Sequence, residues 1–304
     1  MSALIHIGYH KTGTTWLQER FFGRDPIFRV IATHPAIDAA IVRPNSLDFD
    51  PAKALSDLGA GSNAAKASTG IPVMSSEILS GNPFTGARES HVIAHRLRAM
   101  FPDARVLITV RNQMAMLSSF YKQYVRFGGR LGHRDFFLAK PEIEYYGFEA
   151  RHLQYDRLID LYAGLFPKGN VSVMLYEDFS RGPAAFCQQI ADFANGGPAK
   201  IQPVDSRPRG VSASAQILPV LRQINRFRAG PLNATPCLSL GWLSYKAYRA
   251  VEKLDVQSQA RWGRRSDGSL GEFIRERFAD SYRSSNAKLA ALLKRDLAPL
   301  AYPV

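Results

Sequence analysis

The sequence predicts an α/β fold: three layers around a central parallel sheet, opened by a P-loop-like turn and followed by a helical C-terminal extension. Three observations carry this expectation. Short apolar runs, among them "ALIHIGY", "IPVMSSE", "ARVLITVR" and "NVSVMLYED", alternate with helix-period segments, the pattern of strands covered on both faces. The first run ends at Gly8 and passes through a glycine-containing turn into "TTWLQERFF", a strand–turn–helix order that suits an anion. From about Gly182 onward strand character disappears and helical periodicity remains.

Each element follows from its own pattern. After the turn, "FRVIATH" reads as a second strand, and residues 43–70, rich in Ala, Ser, Gly and Pro, as a surface excursion holding one short helix. "IPVMSSE" is a strand, "SHVIAHRLRAMF" a helix, "ARVLITVR" a buried strand and Gln113 to Phe127 an amphipathic helix. "FEARHLQYDRLIDLYAGLF" reads as one longer helix and "NVSVMLYED" as the next strand. Further helices are expected over 183–195, 213–228, 240–253, 269–281 and 284–295. With no repeat and no clear linker, the expectation is one unit over 1–304, with a sheet core over 1–180 and the helical extension over 181–304.

Composition narrows the function. The 304 residues are 46% hydrophobic and 21% charged, which suits a globular protein with a sizeable core. No apolar run approaches a membrane span and no basic-plus-apolar leader opens the chain, so a cytoplasmic protein with no membrane partner is expected. Cys187 and Cys237 have no metal-ligand spacing and are expected to be reduced and buried. The net charge is +13, and residues 201–304 hold 17 basic against 8 acidic residues. Nucleic acid, a multiply phosphorylated small ligand and a plain solvated basic face all fit that charge.

The stretch "HIGYHKTGTTW", His6 to Trp16, carries the sharpest signal. Gly8 and Gly13 have the glycine spacing of a nucleoside-triphosphate loop, but the lysine, Lys11, lies two residues before the second glycine instead of directly after it. Backbone N–H groups of the turn, a helix N-terminus and the Thr14 and Thr15 hydroxyls favour an anion. Lys11 would reach across the loop mouth, where a single charge suits a bond being broken beside the phosphate.

"KTGTTW", Lys11 to Trp16, resembles the 5′-phosphosulfate loop of the PAPS-dependent sulfotransferases, in their bacterial and carbohydrate-type branch, with His10 where proline is common. The resemblance implies cofactor contacts from Lys11, Thr12, Gly13, Thr14, Thr15 and Trp16. A second motif agrees: Arg111 and Asn112 end the strand of "VLITVRNQMAMLSSFYKQY", and Ser119 follows eight residues after Arg111. That is the family's 3′-phosphate spacing, with Gln113 in place of a common proline. An arginine at a strand end and a serine about two turns along the next helix make a phosphate clamp. In "MLYEDF" the resemblance puts Tyr176 near the adenine, while Glu177 and Asp178 are read as caps of the following helix.

The family implies sulfuryl transfer from PAPS to a hydroxyl or amine, leaving PAP, with Lys11 on the leaving phosphate and no metal required. Its general base is a histidine or glutamate after the strand that follows the first βαβ unit. Here that residue is Glu77, with His34 as the fallback. His91 and His95, one helical turn apart, lack the companions of a metal site and are read as ordinary surface or core residues. "RWGRRSDGS", Arg261 to Ser269, loosely resembles the family's basic C-terminal loop, a resemblance that would bring Arg264 or Arg265 to the 3′-phosphate; "SRPRGVSAS", Ser206 to Ser214, stays unassigned. Acceptor choice falls to loops 43–70, 128–147 and 200–240, where Tyr145 and Tyr146 could stack and Arg126, Arg130 and Arg134 could hold an acid. A P-loop small-molecule kinase with Glu177 and Asp178 on magnesium is the alternative enzyme. The non-catalytic alternatives are a nucleotide-binding regulator and a nucleic-acid binder.

Overall fold

The computed structural model describes residues 2–59, 69–138, 147–200, 213–263 and 266–304. Five strands, β1 (Leu4–Gly8), β2 (Phe28–Ala32), β3 (Ile71–Ser75), β4 (Arg105–Val110) and β5 (Val171–Leu175), form one sheet in the order β2-β3-β1-β4-β5. Every pairing is parallel. Alternation along the strands divides the core. Ile5, Ile7, Val106 and Ile108 face one apolar cluster, and Leu4, Val73 and Leu107 face another built on Phe21, Phe22, Phe28 and Phe186. With both faces covered, the three-layer expectation is met. The chain leaves β1 toward one side of the sheet and reaches β4 on the other, so the β1 end lies at the crevice where such folds bind ligands.

The helices are α1 (Thr14–Trp16), α2 (His34–Ile37), α3 (Pro51–Asp57), α4 (Ser90–Met100), α5 (Gln113–Arg126), α6 (His133–Leu138) and α7 (Tyr155–Leu165). There follow α8 (Tyr176–Arg181), α9 (Pro183–Phe193), α10 (Leu218–Asn225), α11 (Gly241–Trp262) and α12 (Gly268–Leu293). After α1 the chain continues in wide π-type turns through Leu17–Phe22.

Three expected helices differ in their continuity. The segment before β5 is broken at Gln154, whose ψ of 84° separates the short turn Ala150–Leu153 from α7. The break lets the Leu153 carbonyl accept from Gln113 Nε2 at 3.3 Å. Conversely, the helices expected at 269–281 and 284–295 are the single helix α12. Nothing between them stops a helix, and Tyr282, Ser285, Asn286 and Leu289 carry the buried stripe through. Cys187 is buried, and burial pushes its thiol up to about 12. Cys237 is exposed, contrary to expectation, because it sits in the loop before α11 with its sulfur against Arg130.

Candidate active site

Four strand ends meet at the C-terminal edge of the sheet. The loop after β1 carries Lys11, Ser76 and Glu77 follow β3, Arg111 follows β4, and Tyr176 follows β5. Close approach explains the loop's glycines. A Cβ on Gly8 would collide with Thr14 Cγ2, and one on Gly13 would lie 3.0 Å from the Phe179 ring, at a φ of +83° that already favours glycine. Lys11 itself has φ +66°, a left-handed conformation that costs a side-chain-bearing residue about 1 kcal/mol. Among the described residues, no acceptor takes the backbone N–H groups of Lys11, Thr12 and Gly13. A loop of open amides is an anion cradle.

The hydroxyls divide between structure and site. Thr15 is exposed at the helix start, whereas Thr14 is buried against Gly8. Thr12 faces inward: its Oγ1 donates to the Tyr9 carbonyl at 2.6 Å and meets Thr109 Oγ1 at 2.9 Å. Only its backbone is left for a ligand. The bonds continue from Thr109 to His6 Nε2 at 3.1 Å, from His6 Nδ1 to Ser75 Oγ at 2.8 Å, and on to Gln18. One hydrogen order satisfies the chain. Thr12 donates to the carbonyl, so Thr109 donates to Thr12, His6 Nε2–H donates to Thr109, and Ser75 donates to His6 Nδ1. This order requires neutral His6, and burial pushes its pKa down to about 3. Sequence reasoning missed this support; the alternation "LIHIG", which puts His6 on the same strand face as Leu4 and Gly8, was its only trace.

Arg111 links the motifs. Its Nη1 donates to the Lys11 carbonyl at 3.2 Å, and its guanidinium lies 4.6 Å from the centre of the Tyr176 ring. Ser119, on α5, has no hydrogen-bond partner among the described residues. Trp16 packs edge-on against Phe179 at 4.9 Å, which makes it part of the apolar support of the loop. The Lys11 ammonium is held below its ordinary pKa, first by burial, then by Arg126; Glu77 acts in the opposite sense and Arg111 adds to the lowering.

Glu77 opens a short turn, Glu77–Ser80, capped by Ser76. His34 Nδ1 lies 2.8 Å from Ser76 Oγ and 4.0 Å from Glu77 Oε2, so both candidate bases occupy one corner. His10 is buried beside them. Burial lowers its pKa to about 4, Glu77 opposes that shift, and His152, Lys11 and His34 reinforce it. Among the described residues its Nδ1 has no hydrogen-bond partner.

Glu177 and Asp178 do not cap α8. That helix begins after Leu175 without a side-chain cap. Glu177 instead accepts from the Asn112 backbone N–H at 2.9 Å and from the Tyr302 hydroxyl at 3.1 Å. Asp178 forms a two-pronged pair with Arg295 at 2.6 and 2.9 Å. Both carboxylates brace the residues that follow α12 against the sheet edge. The same bracing explains Gln113: its amide pairs with Asn286, donating at 2.6 Å and accepting at 3.2 Å. Asn112 Nδ2 donates to the carbonyls of Leu300 and Ala301.

Within Arg261 to Ser269, Asp267 lies against α5, where it accepts from Ser118 and pairs with Lys122 at 2.6 Å. Arg264 and Arg265 lie outside the described residues, as do Tyr145, Tyr146 and most of Ser206 to Ser214. His91 and His95 are exposed and face each other at 3.2 Å. Among the described residues no group of three or more His, Cys, Asp or Glu is arranged to hold a metal.

The sheet order and the loop on its central strand define a P-loop-like α/β fold. A domain-family model described as "Sulfotransferase domain" matches residues 2–206, and the chain belongs to the sulfotransferase family. Its fold is similar to the crystal structure of a sulfotransferase from Alicyclobacillus acidocaldarius, with TM-score 0.55, 18% identity and 99% of each chain covered. Looser likenesses include the sulfotransferase domain of the Synechococcus PCC 7002 olefin synthase, with TM-score 0.39 and 13% identity over 82% of this chain and 94% of that one. Mouse sulfotransferase SULT7A1 complexed with PAP gives TM-score 0.36 and 15% identity over 91% and 89%. No curated protein matches the chain significantly.

Proposed function

We propose that the protein transfers the sulfuryl group of PAPS to a hydroxyl or amine of an acceptor, such as a carbohydrate or small metabolite, releasing PAP. The observation that carries this reading is the meeting of Lys11, its open loop amides, Arg111 and Glu77 at adjacent strand ends. The loop from Lys11 to Trp16 holds the 5′-phosphosulfate, chiefly through backbone N–H groups and the Thr15 hydroxyl. Arg111 and the unpartnered Ser119 take the 3′-phosphate, and Tyr176, stacked on Arg111, lies along the adenine.

In the reaction the acceptor oxygen or nitrogen forms its bond to sulfur as the bond from sulfur to the phosphate oxygen breaks. The acceptor proton passes to the Glu77 carboxylate, and Lys11 stabilises the charge that develops on the departing phosphate. The sulfuryl group carries less negative charge than a phosphoryl group, so one lysine serves where kinases use magnesium, and no metal is required. The kinase alternative loses its support because Glu177 and Asp178 are engaged by Asn112, Tyr302 and Arg295. The whole of 1–304 acts as one unit in this proposal, with the extension bracing the sheet edge, and works in the cytoplasm. Calorimetry with PAP, 3′-dephosphorylated PAP and ATP tests the donor. PAP should bind much more tightly than the other two, and equal binding of ATP would sink the reading.

A further inference from the structure

Helix α11 is turned inside out. The residues it buries are Ser244, Tyr248 and Asp255, mostly polar. Its bulky apolar residues face outward instead: Trp242 is 64% exposed, Leu243 54% and Tyr245 56%. The loop before it extends the same surface. Leu238 is 60% exposed, and the Leu240 backbone N–H donates to the Phe227 carbonyl at 3.3 Å, which brings exposed Phe227 alongside. A contiguous, outward-facing group of this kind marks an interaction surface.

Charge identifies the occupant. Between residues 226 and 262 the chain has six cations, Arg226, Arg228, Lys246, Arg249, Lys253 and Arg261, and only two acids. Both acids are engaged within the chain, Glu252 by Arg249 at 2.6 Å and Asp255 by the Ser214 backbone at 2.8 Å. The Lys246 ammonium lies 4.3 Å from the centre of the Trp242 ring, so apolar body and cation stand side by side at the outer surface. A second copy of this chain, itself at +13, would set two such basic faces against each other. A purely aqueous acidic partner would answer the cations and leave the leucines and Trp242 without an apolar medium.

We infer that the surface formed by Phe227, Leu238 and the outward face of α11 docks on an anionic lipid bilayer, with Trp242 and Leu243 at the headgroup–acyl boundary and Lys246 and Lys253 against lipid phosphates. Tryptophan and leucine beside lysine and arginine are the residues of a helix lying in that interface. Among the described residues no helix is long and apolar enough to cross a membrane, but a helix lying flat needs neither property. The expectation of no membrane partner, drawn from the missing span, is therefore revised for this face. The inference does not depend on the sulfotransferase chemistry.

Flotation of the full chain with phosphatidylcholine vesicles, with and without phosphatidylglycerol, tests it. Binding should be at least about tenfold stronger to the anionic vesicles and should weaken as salt is raised. Trp242→Ser with Leu243→Ser should remove about nine-tenths of that binding while the melting temperature and PAP affinity stay at the wild-type level. Lys246→Glu with Lys253→Glu should abolish the preference for anionic vesicles by a separate route. Three outcomes would overturn the inference. The wild-type chain could fail to float with anionic vesicles at low salt, or both variants could bind as wild type does. Sedimentation could also reveal a wild-type dimer that Trp242→Ser with Leu243→Ser dissociates.

Discussion

The Arg111 guanidinium donates to the carbonyl oxygen of Lys11 at 3.2 Å, joining the strand end after β4 to the loop after β1 across a hundred residues. The residue proposed to clamp one phosphate thus also helps to hold the backbone of the loop proposed for the other, at the residue whose φ is +66°. Arg111→Lys keeps the charge but loses the planar fork and its stacking on Tyr176. It should cost about 1.5–3 kcal/mol of PAP affinity, the usual worth of hydrogen bonds to charged groups. Calorimetry should show a larger loss for PAP than for 3′-dephosphorylated PAP, which keeps only the loop that Arg111 supports.

Lys11→Ala removes the charge proposed for the leaving group and leaves the loop's backbone contacts in place. Transfer of labelled sulfate should fall by a factor on the order of 100–1,000. The melting temperature should stay near wild type, because neither the Arg111 contact nor the Thr12 to Tyr9 bond uses the lysine side chain. Unchanged turnover would remove Lys11 from the chemistry.

Glu77 and His34 can be separated by their kinetics. Glu77→Gln should lower kcat by about 100-fold or more while PAP affinity is kept, as expected on removing a general base. His34→Ala should mainly loosen Ser76, which it contacts at 2.8 Å, and should reduce kcat far less. The reverse ranking would make His34 the base.

Three buried histidines predict a pH dependence of stability. The pKa values of His6 and His152 are pushed down to about 3 and that of His10 to about 4, with burial the leading cause in each. Below their ordinary value near 6.5 the unfolded chain takes up protons that the folded chain refuses. Their contribution to stability is therefore full above about pH 6.5 and is lost as pH falls toward 3–4. Each histidine contributes a slope of up to about 1.4 kcal/mol per pH unit in that window. Urea unfolding at pH 7, 6 and 5 should reveal it, and His6→Gln should flatten the curve by up to one proton's worth.

Gln113→Pro would install the residue common in the family at this place. It should destabilise the protein by about 1–3 kcal/mol, because Asn286 loses its buried partner. Adding Asn286→Leu should recover part of the loss in chemical denaturation. A neutral single substitution would show that the amide pair does not matter.

What could be read from the sequence was whatever local pattern decides. The β1–turn–helix unit, the apolar strands and the Arg111 to Ser119 spacing are all short-range features, and they lie where expected. What stayed hidden depends on contacts between distant residues. Whether Glu177 caps α8 or reaches Asn112 and Tyr302 is decided by how the chain after α12 folds back. The resemblance implies a cofactor contact from Thr12 without saying which of its atoms makes it, because nothing in "KTGTTW" reveals that Thr109 waits beneath its hydroxyl. The break at Gln154 and the continuity of α12 likewise depend on burial, through Gln113 in one case and Tyr282 in the other.

The contacts from Asp178 to Arg295, Glu177 to Tyr302 and Asn112 to Leu300 have a consequence in time. A ribosome makes the loop at Lys11 first and Arg295 to Tyr302 nearly three hundred residues later. The strand-end residues of the candidate site therefore emerge long before their braces exist. Bracing of the site waits until the chain through Tyr302 has been made, and nascent chains halted before Arg295 would be exposed to proteases with that edge of the sheet still unbraced.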